Sequence, residues 1–198
     1  MDYHCTISSM DEHQVVVSVN SSVPTISEPS VSVTLYQGLP KSDKMDSVVQ
    51  KAVEMGVTRI VPMLTQRCVS RPDQKSAQKK VERWQKISVE AAKQCGRGIL
   101  PPVSPLTDFS AALRQSVSES TVLFFYEGGG QSLQQCIDPS CKAYSIFIGP
   151  EGGFSEEEVQ FALDLGAKKA TLGPRILRTE TAPVAALAAI MLTTGNMT

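Results

Sequence analysis

The sequence predicts an α/β fold built on a parallel sheet with helices on both faces. Three observations carry this prediction. From Val31 onward, strand-like apolar runs alternate with segments of helical period. Several of the strand candidates, such as TVLFFY and YSIFIG, are apolar nearly throughout, as strands covered on both faces must be. The third observation is that buried-strand candidates run directly into glycine-bearing turns, the place where open parallel sheets bind ligands.

Taken in order, residues 15–19 form a β-branched run and Val31, Val33 and Leu35 alternate with polar residues, so both read as strands. Between them NSSVPTISEPS, residues 20–30, reads as a loop from its Ser, Pro and Asn content. Met45, Val48, Val49, Ala52 and Val53 trace one face of a helix that opens near Ser42 or Asp43 and closes at Gly56. TRIVPM is a short strand. A second helix over 76–95 gathers Val81, Trp84, Ser88, Ala91 and Cys95 on one side and a charged stripe on the other. A helix over 107–115 and the strand TVLFFY follow, then YSIFIG. Ser155 and Glu158 form an S-x-x-E capping box for a helix running to Gly166. AKKATLG supplies another strand, and a small-residue helix over 183–192 completes the pattern.

Composition narrows the function classes. The 198 residues suit one large domain, or one domain and a fragment, and no run approaches the ~18 apolar residues of a membrane span. Residues 1–10 lack the basic and apolar regions of a secretory signal, so a cytoplasmic location is expected. Five cysteines without a CxxC pair, and only two histidines, point to reduced thiols and to no metal site. The net charge is −1, yet residues 59–97 carry +7 and the remainder −8. A local basic surface on an acidic body suits a polyanionic partner. Within it, Lys79, Arg83, Lys86 and Arg97 fall at helical spacing and read either as a solvated face or as contacts to phosphate.

The loops FFYEGGG (124–130), FIGPEGGFS (147–155) and LGPRILRTETAP (172–183) carry the candidate chemistry. Glycine lets backbone N–H and C=O groups approach a ligand closely. A single such loop means only a tight turn; two GP-bearing loops, each directly after a buried strand, mean more. Neither fits a Walker A or a dinucleotide-binding pattern, which argues against ATP and NAD.

IGPEGGFSEEEV followed by LGPRILRTETA resembles the signature pair of the SPOUT-class methyltransferases that modify N3 of a uridine in small-subunit (16S) ribosomal RNA. KSDKMDSVVQKAVEMGVTRIVPMLTQRCVSR and KKVERWQKISVEAAKQCGR resemble the same family, so the likeness covers residues 35–192 in several blocks. Ser42, where that family usually has glycine, Cys95 and Pro183 are its departures. The resemblance implies a C-terminal trefoil knot holding S-adenosyl-L-methionine, a homodimer, and the small ribosomal subunit as partner. It also implies an RNA-binding, PUA-like β-barrel ahead of the catalytic domain. Residues 1–34 are then expected to be the N-terminally truncated end of that barrel and 35–198 the methyltransferase domain. Such a chain is expected to bind cofactor yet methylate small subunits poorly. The rivals are a non-catalytic RNA-binding protein of the same fold and a related enzyme acting on transfer RNA.

By the same resemblance, Ile148, Gly149, Pro150, Glu151, Gly152 and Gly153 wrap the cofactor. Leu172, Gly173, Arg175, Ile176 and Leu177 face them, and Tyr126 and Glu127 form a third wall. Methylating N3 of uridine requires an unpaired base, stabilisation of charge spread over O2 and O4, and a proton acceptor. Arg178, with Arg175 second, is the expected cation, against a phosphate contact or an ion pair with Glu180. Glu180 or Glu151 is the expected acceptor, against a plain role in bonding loop N–H groups.

Overall fold

The computed structural model describes residues 1–138 and 140–197. Strands β1 (Asp2–Met10) and β2 (Val15–Val23) pair antiparallel as a separate two-stranded sheet, exposed along its whole length. The loop expected over 20–30 is therefore shorter. Residues 20–23 continue β2 because Ser21, Ser22 and Val23 find partners in His4, Tyr3 and Asp2. Backbone pairing overrides the turn-like composition there.

The remaining strands are β3 (Ser32–Gly38), β4 (Arg59–Leu64), β5 (Thr107–Asp108), β6 (Thr121–Phe125), β7 (Gln131–Ser132), β8 (Ala143–Ile148) and β9 (Lys168–Thr171). They form one parallel seven-stranded sheet in the order β5-β4-β3-β8-β6-β9-β7. The two-residue strands β5 and β7 are too short for a period to announce them. Six helices accompany the strands: α1 (Lys44–Glu54), α2 (Gln74–Gln94), α3 (Phe109–Glu119), α4 (Leu133–Cys136), α5 (Glu156–Asp164) and α6 (Ala182–Thr193).

The strand period of two divides the core. Leu35, Ile60, Leu123 and Ile146 point to one face and meet α1, α2, α4 and α6. Their neighbours Tyr36, Val61, Phe124 and Phe147 point to the other and meet α3 and α5. Tyr36 stacks on Phe147 at 4.4 Å between ring centres, and Phe124 lies 4.3 Å from Phe154. On α1 the five residues of the expected face are all buried, each worth roughly 1.5–3 kcal/mol of transfer free energy for its larger members. Its C-terminal turn closes on Gly56 at φ +87°, a conformation open to glycine at little cost. Ser42, just ahead of α1, has φ +55°, the left-handed region that a Cβ disfavours, which explains why glycine suits this position better.

The capping box of α5 is present on both sides. Ser155 Oγ accepts from Glu158 N, and the Glu158 carboxylate accepts from Ser155 N at 2.9 Å. That carboxylate is buried and also accepts from Gln66 N at 2.8 Å, which ties the loop after β4 to the start of α5. Pro183 sits in the first turn of α6, where no helical N–H is lost. All five cysteines are free thiols. No helix among the described residues is long and apolar enough to cross a membrane.

Candidate active site

Three loops leave the carboxyl ends of β6, β8 and β9 and converge. The loop after β8 is the tightest. A Cβ on Gly149 would stand 3.1 Å from the backbone of Gly153, a crowded contact that glycine avoids. Gly153, at φ +66°, closes the turn by donating its N–H to Pro150 O at 2.9 Å. Across from it, a Cβ on Gly38 at the end of β3 would strike Pro150 Cδ at 2.6 Å. Backbone is thus packed on backbone, and the loop is held from two sides.

These loops enclose a cavity of about 330 Å³. That lies within the range of small-molecule sites. Tyr126 and Glu127 line it from the first loop; Ile148, Gly149, Pro150, Glu151 and Gly153 from the second. The third loop contributes Leu172, Gly173, Arg175, Ile176, Leu177 and Arg178. Ile176 is 80% exposed, so it is no core residue, whereas Leu172 packs against the edge of the core.

Two expected residues lie elsewhere. Gly152 turns away from the cavity: a Cβ there would meet Arg67 Cβ at 3.1 Å, and Gly152 O accepts from Arg67 Nη1 at 3.0 Å. Glu180 stands behind the wall. Its buried Oε2 accepts no hydrogen bond among the described residues and lies 3.5 Å from Lys44 Nζ.

Lys44 is the residue that sequence reasoning missed. As the first residue of α1 it reads as a helix-terminal charge, but it lines the cavity. Its ammonium pairs with Glu151 at 2.9 Å as well as with Glu180. The hydrogen bond to Glu151 raises the Lys44 pKa above the ordinary lysine value. Burial works against ionisation of Glu151. The Lys44 hydrogen bond and charge, together with backbone N–H donors including Lys41 N, outweigh it and hold the carboxyl below its ordinary value. Glu151 is therefore ionised but weakly basic. Phe125, Phe154, Thr179 and Ala182, which belong to the three glycine-bearing loops but are not among the expected site residues, and Thr171 also line the cavity.

The basic segment divides by residue type. Its arginines are engaged within the protein: Arg59 with Glu119, Arg67 with Gly152 O, Arg71 with Thr65 O, and Arg83 with Asp46. Arg97 corrects the expected stripe. Its side chain is 3% exposed, pairs with Glu28 at 2.6 Å, and donates to Val53 O and Val57 O. It is an interior crosslink and presents nothing to a phosphate. Lys79 and Lys86 of α2 stand exposed, as the stripe requires. Arg83 is exposed too, with part of its charge met by Asp46 and Asp43. Rigid guanidinium forks suit fixed internal acceptors, while ammonium groups on flexible stems remain at the surface.

No group of three or more potential metal ligands occurs among the described residues. Residues 27–191 match the family model of an RNA methyltransferase domain. The chain is 35% identical over 193 residues to ribosomal RNA small subunit methyltransferase E of Bacillus subtilis, covering 94% of this chain and 75% of that protein. It is 32% identical over 190 residues to the Aquifex aeolicus protein of the same name, covering 96% and 80%. Among solved structures, ribosomal RNA small subunit methyltransferase E from Neisseria gonorrhoeae bound to S-adenosyl methionine superposes with a TM-score of 0.86. It shares 36% identity, with 96% of this chain and 78% of that chain covered.

Proposed function

Since the chain belongs to the RNA methyltransferase domain family, and within it to the ribosomal RNA small subunit methyltransferase E proteins, we propose that it methylates 16S ribosomal RNA at N3 of a uridine. The methyl donor is S-adenosyl-L-methionine, which when bound supplies an electrophilic methyl group on a sulfonium. The observation that carries the reading is the cavity at the ends of β6, β8 and β9, where Gly149, packed 3.1 Å from the Gly153 backbone at its Cβ position, and Gly153, at φ +66°, bring bare backbone to its wall. The backbone of residues 148–153 and 172–177 would hold the cofactor. Leu172, Ile176 and Leu177 would give apolar contact, and Tyr126 and Glu127 the third side.

Arg178, on the same wall, would meet the charge that develops on the base oxygens as N3 loses its proton. Glu151 would accept that proton at the cavity, with Lys44 keeping it ionised; Glu180 supports the same ammonium from behind. The exposed Lys79, Arg83 and Lys86 would steer the RNA phosphates. The relatives' names favour ribosomal over transfer RNA.

The third loop returns to the ends of β3 and β8 through Thr179, which supports reading the C-terminal region as a trefoil knot. The exposed hairpin supports a separate, PUA-like RNA-binding unit within the expected 1–34, but Ser32, Val33 and Thr34 already pair in β3 of the sheet, so the domain expected over 35–198 takes in the end of that range. A homodimer through α6 is supported by its alanine-rich outer face and by Leu192, 63% exposed. The test is methyl incorporation from labelled S-adenosyl-L-methionine into small subunits lacking the modification, with the modified nucleoside then identified. N3-methyluridine is expected. Label on another base or on the ribose, or none above background even with the chain in molar excess over the subunits, would overturn the reading.

A further inference from the structure

Gln37 lies one residue from the end of β3, wholly buried, and does not line the cavity. A primary amide at such a place demands a reason, because burying its polar atoms is unfavourable unless they are bonded. Its Nε2 donates to Thr179 Oγ1 at 3.0 Å, to Gly38 O at 3.1 Å and to Gly149 O at 3.4 Å. Thr179 Oγ1 in turn donates to Gly149 O at 2.7 Å. Its hydroxyl proton is committed to that carbonyl, so its lone pair receives the amide. The reverse amide orientation would set its oxygen against two carbonyls. Gln37 Oε1 accepts no hydrogen bond among the described residues, so the amide is held there by its N–H side alone.

Three segments far apart in the chain thus meet at one buried polar node: the end of β3, the loop after β8, and the loop before α6. Gly149 and Thr179 both line the cavity, on two different walls. We propose that Gln37 and Thr179 are positioning residues, which set the spacing of those walls through the Gly149 carbonyl and so preorganise the cavity for the cofactor. The inference rests on the cofactor assignment given above. It adds a wholly buried residue, outside the cavity, that governs affinity for S-adenosyl-L-methionine.

The experiment uses Thr179→Val, which keeps the shape and removes the hydroxyl, Thr179→Ser, which keeps the hydroxyl, and Gln37→Met. Calorimetry with S-adenosyl-L-methionine, thermal unfolding of the free chain, and kcat and KM for methyl transfer are measured for each. Thr179→Val and Gln37→Met are expected to weaken cofactor binding about 10-fold, the effect of losing one good hydrogen bond. Thr179→Ser should stay within about 3-fold of the parent, and KM for the cofactor should rise more than kcat falls. A lowered melting point with unchanged affinity would reduce the node to a structural role and overturn the proposal. So would a serine variant as weak as the valine one. Should the parent chain itself fail to bind S-adenosyl-L-methionine, the functional reading falls and this inference with it; variants that match a binding parent remove the inference alone.

Discussion

Replacing Arg97 separates a structural cation from an RNA-binding one. In Arg97→Met the stem still packs, but the charge and the bonds to Glu28, Val53 O and Val57 O are gone. Arg97 and Glu28 are 3% and 13% exposed at their side chains, so this is a buried pair. Removing one partner of such a pair costs roughly 3–5 kcal/mol. Glu28 keeps backbone donors, Ile99 N at 3.0 Å and Gly98 N, which places the expectation at the lower end, about 3 kcal/mol. For a chain of this size that is a fall of about 6–12 °C in melting temperature.

The pH dependence has a definite sign. Burial alone would raise the Glu28 pKa, but the Arg97 hydrogen bond and charge and the Ile99 N–H bring it below its ordinary 4.5. A carboxylate lowered in the folded state contributes stability above its unfolded value, and that contribution is lost as pH falls through the folded value. In Arg97→Met the burial remains without the cation. The deficit of the variant should therefore be greatest at neutral pH and should shrink below about pH 4.5, as the parent loses what the variant never had. Thermal scans from pH 7 to pH 4, beside the salt dependence of RNA binding at pH 7, make the test. An unchanged melting point together with a salt slope lowered by ~0.7 would refute the interior assignment and return Arg97 to the phosphate-binding stripe.

Other outcomes follow from the site. Gly149→Ala should weaken cofactor binding by at least about 10-fold, because its Cβ crowds the Gly153 backbone at 3.1 Å in the cavity wall itself, whereas Gly152→Ala, whose Cβ points away from the cavity to Arg67 Cβ, should bind within a few-fold of the parent by calorimetry. Lys79→Ala and Lys86→Ala should each lower the salt slope of RNA binding by roughly 0.7; Arg83→Ala should lower it less, since Asp46 already meets part of its charge. Lys44→Met should move the acid limb of methyl transfer to higher pH, because the ammonium that holds Glu151 ionised is removed; an unmoved limb takes Glu151 out of the proton path. Ser42→Gly relieves a left-handed backbone at the start of α1 and should leave stability unchanged or slightly raised in denaturant melts.

Helix faces, caps and strand identities were legible in the sequence because they are short-range. Met45 to Val53 declare a face by spacing, Ser155 and Glu158 declare a cap three residues apart, and the strands of the sheet centre declare themselves by apolar runs. The same holds for the turn glycines and for thirteen of the expected site residues, since loops that follow parallel strands share one edge of the sheet. The partner of a charge or a buried amide is another matter, chosen by packing between segments with no local relation. Arg97 meets Glu28 across 69 positions, and Gln37 meets Thr179 across 142. At the level of spacing Arg97 continues a cationic stripe, and Lys44 is one more helix-terminal lysine. Only the closing of α1 and α2 onto the sheet, and of the third loop onto the ends of β3 and β8, decides which cation is buried, which lines the cavity, and which remains at the surface.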